Sequence, residues 1–173
     1  MLKIAKLLCC LLFLSVSIFS QDRIQQVMVG PTEENFRVVI AFIDPLQDAY
    51  KMQSLIIDFD NPKFKNELPN TFKIDVTSTV RSLTTGEKKQ KILILQVKNS
   101  NEIQFKCDGK FVKKDSTPNT NKLIENVKLI LKSLPLDSKK PAEVKLTKDI
   151  EDKVDSVFKS VTTEEFPCLR SIN

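Results

Sequence analysis

The sequence predicts an α+β fold: an antiparallel β-meander of three to four strands packed against helices, two N-terminal and two C-terminal. Three observations point there. Apolar and polar residues alternate from Phe72 to Arg81, the period of a half-buried strand. Two further apolar runs follow, each reached through turn residues, at hairpin spacing. Stripes of apolar residues three and four positions apart lie on both sides of these strands, the period of helices with one buried face.

The chain has 173 residues, enough for one domain or two small ones. Its start reads as a targeting segment. Lys3 and Lys6 form a short basic region, and Leu7 to Phe19 is uncharged and apolar. That run falls short of the roughly 20 apolar residues a membrane-spanning helix needs, and it has the length of a secretory signal. Cleavage is expected after Ser20, with Ser17 as the alternative. Residues 1–20 are therefore set apart as a signal peptide, and residues 21–173 are expected to form a single α+β domain with a linker-like stretch at 135–146.

The mature chain opens with Gln21 to Gly30, a strand or a lead-in without structure, ended by Pro31. Thr32-Glu33-Glu34 then resembles a helix start, with a hydroxyl to cap and acids near the positive end of the dipole. Phe36, Val39, Ile40 and Ile43 follow at helical spacing. The same run is almost entirely apolar and β-branched, so a buried strand is the alternative. Asp44-Pro45 with Gln47 matches a cap, a first-turn proline and a capping box, and predicts a second helix from Pro45 to about Ile57. Asp58 to Pro69 reads as a loop.

Phe72, Ile74, Val76, Ser78 and Val80 share one face of the first clear strand. Thr84-Thr85-Gly86 supplies a turn into Ile92–Val97, apolar on both faces and so expected at the centre of a sheet. Asn99-Ser100-Asn101 turns the chain again, and Ile103, Phe105 and Cys107 share a face of the next strand. Asp108-Gly109 is either a bulge or a tight hairpin leading to Phe111-Val112. In the last third, Leu123, Ile124, Val127, Ile130, Leu131 and Leu134 form a helical stripe stopped by Pro135. Thr147 can cap a final helix carrying Ile150, Val154, Val157, Phe158 and Val161. Asp149–Lys153 and Asp155–Lys159 are expected to pair one turn apart on its wet side.

Four cysteines occur, but Cys9 and Cys10 lie in the expected signal. Cys107 and Cys168 remain, and in an oxidising compartment two thiols read as one disulfide. Such a bond would pin the C-terminal tail to the sheet. The formal charge is +5, and removal of Lys3 and Lys6 lowers it to +3. The remaining lysines are scattered among acids, as on a solvated surface. An anionic extracellular polymer is the alternative partner they allow. Nucleic acid is not expected, because no aromatic residues interleave with the basic ones. The sequence has no Asn-x-Ser/Thr acceptor and no lipidation motif, so neither N-glycosylation nor a membrane anchor is expected.

The chain holds no histidine and three glycines. Nucleophile activation by histidine is thus excluded, as are histidine zinc sites and glycine-rich phosphate loops. Asp58-Phe59-Asp60-Asn61 starts like a calcium loop, but Pro62 and Lys63 stand where a ligand and a glycine are required. Asp44 could act as a base, though the cap assignment accounts for it; Asp149, Asp152 and Asp155 read as the wet face of a helix. No catalytic residue, metal site or cofactor is assigned.

Gln26-Val27-Met28-Val29-Gly30 resembles the Gln-x-Val-x-Gly hairpin of cystatin-type protease inhibitors, with Met28 in the valine's place. Over a longer span, two N-terminal helices, Leu68-Pro69 and a meander turning at Ser82 to Gly86 resemble small secreted domains of the nuclear transport factor two-like superfamily, about residues 32–113. That likeness implies helices against a curved sheet around an apolar pocket, in carriers as well as in enzymes that use a pocket Asp or His. The expected function is a non-catalytic binding or interaction protein outside the cytosol. Its partner would be a small apolar ligand or an extracellular protein. A ligand would lie against Phe72, Ile74, Val76, Ile103 and Phe105 if the core leaves room there. The alternatives are a carboxylate-dependent enzyme of that superfamily's type and a secreted protease inhibitor.

Overall fold

Strand-forming residues dominate far more of the chain than a four-stranded meander requires. The computed structural model describes residues 22–60, 68–99, 102–169 and 171–172. The expected signal peptide lies outside them, as do Pro62, Lys63 and the turn at Ser100-Asn101. β1 (Ile24–Pro31), β2 (Phe36–Pro45), β3 (Ala49–Phe59), β4 (Phe72–Ser82), β5 (Lys88–Asn99), β6 (Glu102–Cys107) and β7 (Lys110–Lys114) lie side by side in chain order, each antiparallel to the next. Helix α1 (Pro118–Lys132) follows. A two-residue strand, β8 (Ala142–Glu143), then joins the outer edge of β1. After helix α2 (Lys148–Ser160), β9 (Ser171–Ile172) pairs with Gln90 and Lys91 of β5. Among the described residues the sheet has nine strands.

Both expected N-terminal helices are strands. Phe36, Val38, Ile40 and Phe42 point inward and are buried, the alternation of a strand rather than the stripe of a helix. Crowding at Cβ makes Val38, Val39, Ile40 and Ile43 poor helix formers, and a pleated surface accepts them. The apparent capping box at Asp44-Pro45 and Gln47 is a hairpin loop. Pro45 and Tyr50 form the last cross-strand pair, and the Leu46 amide donates to the Ala49 carbonyl at 2.8 Å. Proline and aspartate serve such a turn as well as they serve a helix start. The later elements lie where the sequence places them. The Asp108-Gly109 pair is a tight hairpin, with φ of 49° and 83°, closing Cys107 onto Lys110. Positive φ at both central residues is the twist-matched turn that Asp-Gly favours. The expected linker at 135–146 supplies β8.

Register makes the inner face of the sheet apolar. Val38, Ile57, Ile74, Leu95 and Phe105 face one another in a row across five strands, and Ile40, Leu55, Val76 and Leu93 form the next row. The two helices cover these rows. Leu123, Ile124, Val127, Ile130 and Leu131 of α1, and Ile150, Val154 and Val157 of α2, join the same buried core. Each such side chain contributes about 2 kcal/mol on leaving water. Thr117 caps α1, accepting from the Thr120 amide at 3.1 Å, while Thr147 stands at the α2 cap position without a side-chain bond.

Four contacts hold the C-terminal tail. Cys107 and Cys168 form a disulfide with Cα atoms 5.4 Å apart. Phe166 packs edge-on against Phe105 at 5.7 Å between ring centres. Glu165 accepts from the Thr117 hydroxyl and lies 3.1 Å from Lys114 Nζ. Burial works against the Glu165 charge, but the bonds from Thr117 and Lys114 and the Lys114 charge outweigh it and hold its pKa below the ordinary value. β9 is the fourth contact.

Candidate functional site

The inner rows do not stay apolar to the lower end of the sheet. One row beyond Leu55, Val76 and Leu93 come Gln53, Ser78 and Lys91, and beyond these Lys51 and Val80. The helices stop covering the sheet here. A cleft of about 440 Å³ opens between these residues and the last turn of α2. Its floor is Val76, Ser78 and Val80 of β4. Lys51 and Gln53 of β3 and Lys91 of β5 flank it. Phe158, Lys159 and Val161 form the wall opposite.

Arg23, just ahead of β1, closes the remaining side. Its guanidinium donates to both Asp155 oxygens of α2, at 3.0 and 2.8 Å, and its Nε lies 2.8 Å from Asp44 at the end of β2. The same group stacks 3.9 Å above the Phe42 ring, a cation–π contact. Burial opposes the Arg23 charge; the bonds to Asp155 and the charges of Asp155 and Asp44 prevail and raise its pKa above the ordinary arginine value. Below it, Gln25 bonds Glu151 at 2.7 Å and the Leu146 amide at 3.0 Å. Strand β1 is thereby fastened to α2 and to its approach.

These contacts correct two expectations. Asp155 does not pair with Lys159 on a wet face; it turns to Arg23, while the expected Asp149–Lys153 pair does form. Asp44 caps no helix and pairs with Arg23 as well. Both carboxylates are committed to one guanidinium. The three lysines of the cleft, Lys51, Lys91 and Lys159, take part in no ion pair among the described residues.

The residues expected to face a ligand are placed otherwise. Phe72, Ile74, Ile103 and Phe105 are buried beneath the helices and tail, and Val76 alone reaches the cleft. The open surface begins one row further along the strands, where lysine and serine interrupt the apolar alternation. That interruption was the available signal: Ser78 on the inner face of β4, and Lys91 ahead of Ile92 in β5. Gln26 to Gly30 is no exposed wedge, because it pairs with β2 over its length and with β8 at Met28 and Val29. A second hollow of about 370 Å³ at the other end of the strands is lined by Arg37 and Asp58, which already pair at 2.6 Å. No three or more of Cys, Asp and Glu come together as a metal site among the described residues, and no helix there is long and apolar enough to cross a membrane.

Comparison with known proteins yields no match to a family model, a curated protein or a solved structure. The likeness to the nuclear transport factor two-like superfamily therefore rests on sequence features alone, and the two N-terminal helices among them are strands.

Proposed function

We propose that the protein is exported, loses residues 1–20, and acts outside the cytosol as a non-catalytic binding protein whose site is the cleft beside α2. The observation that carries this reading is an open cleft of about 440 Å³ where the helices stop covering the inner face of the sheet. Small-molecule sites fall at roughly 300–1,000 Å³ and combine an apolar floor with a few convergent polar groups. The Cys107–Cys168 disulfide fits an oxidising compartment. The alternative of a carboxylate-dependent enzyme would need an unpaired Asp or Glu in the cleft. Asp155, which borders it, is clamped by Arg23 instead.

Mass spectrometry of protein secreted into culture medium tests the reading. The expected result is a mature chain starting at Gln21, or at Ile18 for cleavage after Ser17, with Cys107 linked to Cys168 and a small molecule retained under native ionisation. Full-length, reduced protein recovered only from inside cells would overturn the export part. A Val80→Trp variant, which fills the cleft from a half-exposed strand position, is expected to lose the retained molecule. Undiminished retention would place the site elsewhere.

A further inference from the structure

We infer that the cleft takes a small anionic amphiphile: one acidic head group, carboxylate or phosphate, on an apolar chain. The inference rests on the proposed binding role of the cleft and adds the chemistry of its ligand. Lys51, Lys91 and Lys159 come from β3, β5 and α2 and converge on one volume. None is held by an acid among the described residues. Arg23 is no part of the head-group site, since its guanidinium is hydrogen-bonded twice to Asp155 and ion-paired to Asp44; it sets the distance between β1 and α2. The cleft and its border thus hold four cations against two carboxylates.

The apolar part follows from what lies between the lysines. Val76 and Val80 form the floor and Phe158 and Val161 the wall. Val80 is 37% exposed, an apolar side chain left to water inside a concave surface. An inorganic anion would satisfy the lysines and leave this apolar surface wet. An uncharged apolar molecule would cover it, but would crowd the lysine head groups without offering them a charge. Only a molecule carrying both parts answers both surfaces. Lysine ammonium groups on flexible stems suit a head group of either geometry, because they act as point charges rather than as a fixed fork.

Isothermal titration of the disulfide-linked mature protein with decanoate, decyl phosphate and decanol tests this, with the variant Lys51→Met, Lys91→Met, Lys159→Met and the variant Val80→Trp. Methionine keeps the apolar stem and removes the charge, and unchanged melting temperatures verify that both variants fold. Decanoate or decyl phosphate is expected to bind about tenfold more tightly than decanol, the combined effect of several partly exposed charge contacts. The triple variant should lose that margin, added salt should shrink it, and Val80→Trp should abolish binding of all three. The tighter of the two acids distinguishes a fatty acid from a phosphate monoester, and either outcome supports the inference. Equal binding of decanol and the acids, removed by Val80→Trp, would overturn the anionic class and leave the binding cleft standing. No binding of any probe, or binding untouched by Val80→Trp, would overturn both.

Discussion

Arg23 is the residue on which the shape of the cleft turns. It joins the first strand to α2 through Asp155 and to the end of β2 through Asp44, with side chains 24%, 30% and 27% exposed. Ion pairs on open surface contribute about 0–1 kcal/mol, and removing one partner of a fully buried pair costs about 3–5. This group lies between those limits, so Arg23→Met should destabilise the protein by about 2 kcal/mol, read from urea unfolding. Much of that loss comes from the two acids left behind, Asp155 and Asp44. Asp155→Asn made on top of Arg23→Met should therefore recover stability, and the double-mutant cycle should show coupling of about 1 kcal/mol or more. Simple additivity would mean that the two side chains share no net interaction.

At the scale of elements, legibility followed the clarity of the period. The strand from Phe72 was plain because polar and apolar residues alternate without interruption. The stripe from Leu123 was plain because no β-branched run competes with it. Residues 36–57 were ambiguous for a physical reason. A central strand of a wide sheet meets neighbours on both sides, and β2 carries apolar residues on both faces, so Val39 and Ile43 complete a false helical stripe with Phe36 and Ile40. Asp44-Pro45 then supplied a start signal that a hairpin uses equally well. The disulfide pair is legible once Cys9 and Cys10 are set aside with the expected signal segment. The cleft was not, because its lysines come from three separate elements. Gly30 reads as a turn glycine in the sequence but lies inside β1, and its role is set by a segment more than a hundred positions away. A Cβ there would meet Pro141 Cα at 2.6 Å and its nitrogen at 2.8 Å. Those are backbone atoms, so the strand-forming linker itself would have to move. Gly30→Ala should cost about 1–3 kcal/mol, as overpacked sites do. Hydrogen exchange should locate the damage at the Val144 amide, which bonds the Val27 carbonyl at 2.9 Å. Full protection there would mean that β8 absorbs the methyl group without detaching.

For the whole molecule, the C-terminal tail is what makes sheet and helices one closed unit. It leaves α2 at the cleft wall, packs Phe166 on Phe105, bonds at Cys168 and pairs with β5 at Ser171 and Ile172. The disulfide closes a span of 61 residues that contains both helices. Cross-linking a loop of that length removes unfolded-chain entropy worth about 4 kcal/mol. Replacing Cys107 and Cys168 with serine should lower the unfolding free energy by about that amount, because the remaining tail contacts act only once the tail has docked. The loss should also be uneven. Amides of β9 and of its partners Gln90 and Lys91 should exchange first, while the β2–β3–β4 centre keeps its protection until global unfolding. With Lys91 and Val161 both lining the cleft, a loosened tail should weaken ligand binding before the sheet itself is lost. If exchange quickened equally over every strand, the tail would be no separate unit. A loss under about 1 kcal/mol would mean that Phe166, Glu165 and β9 hold it without the bond.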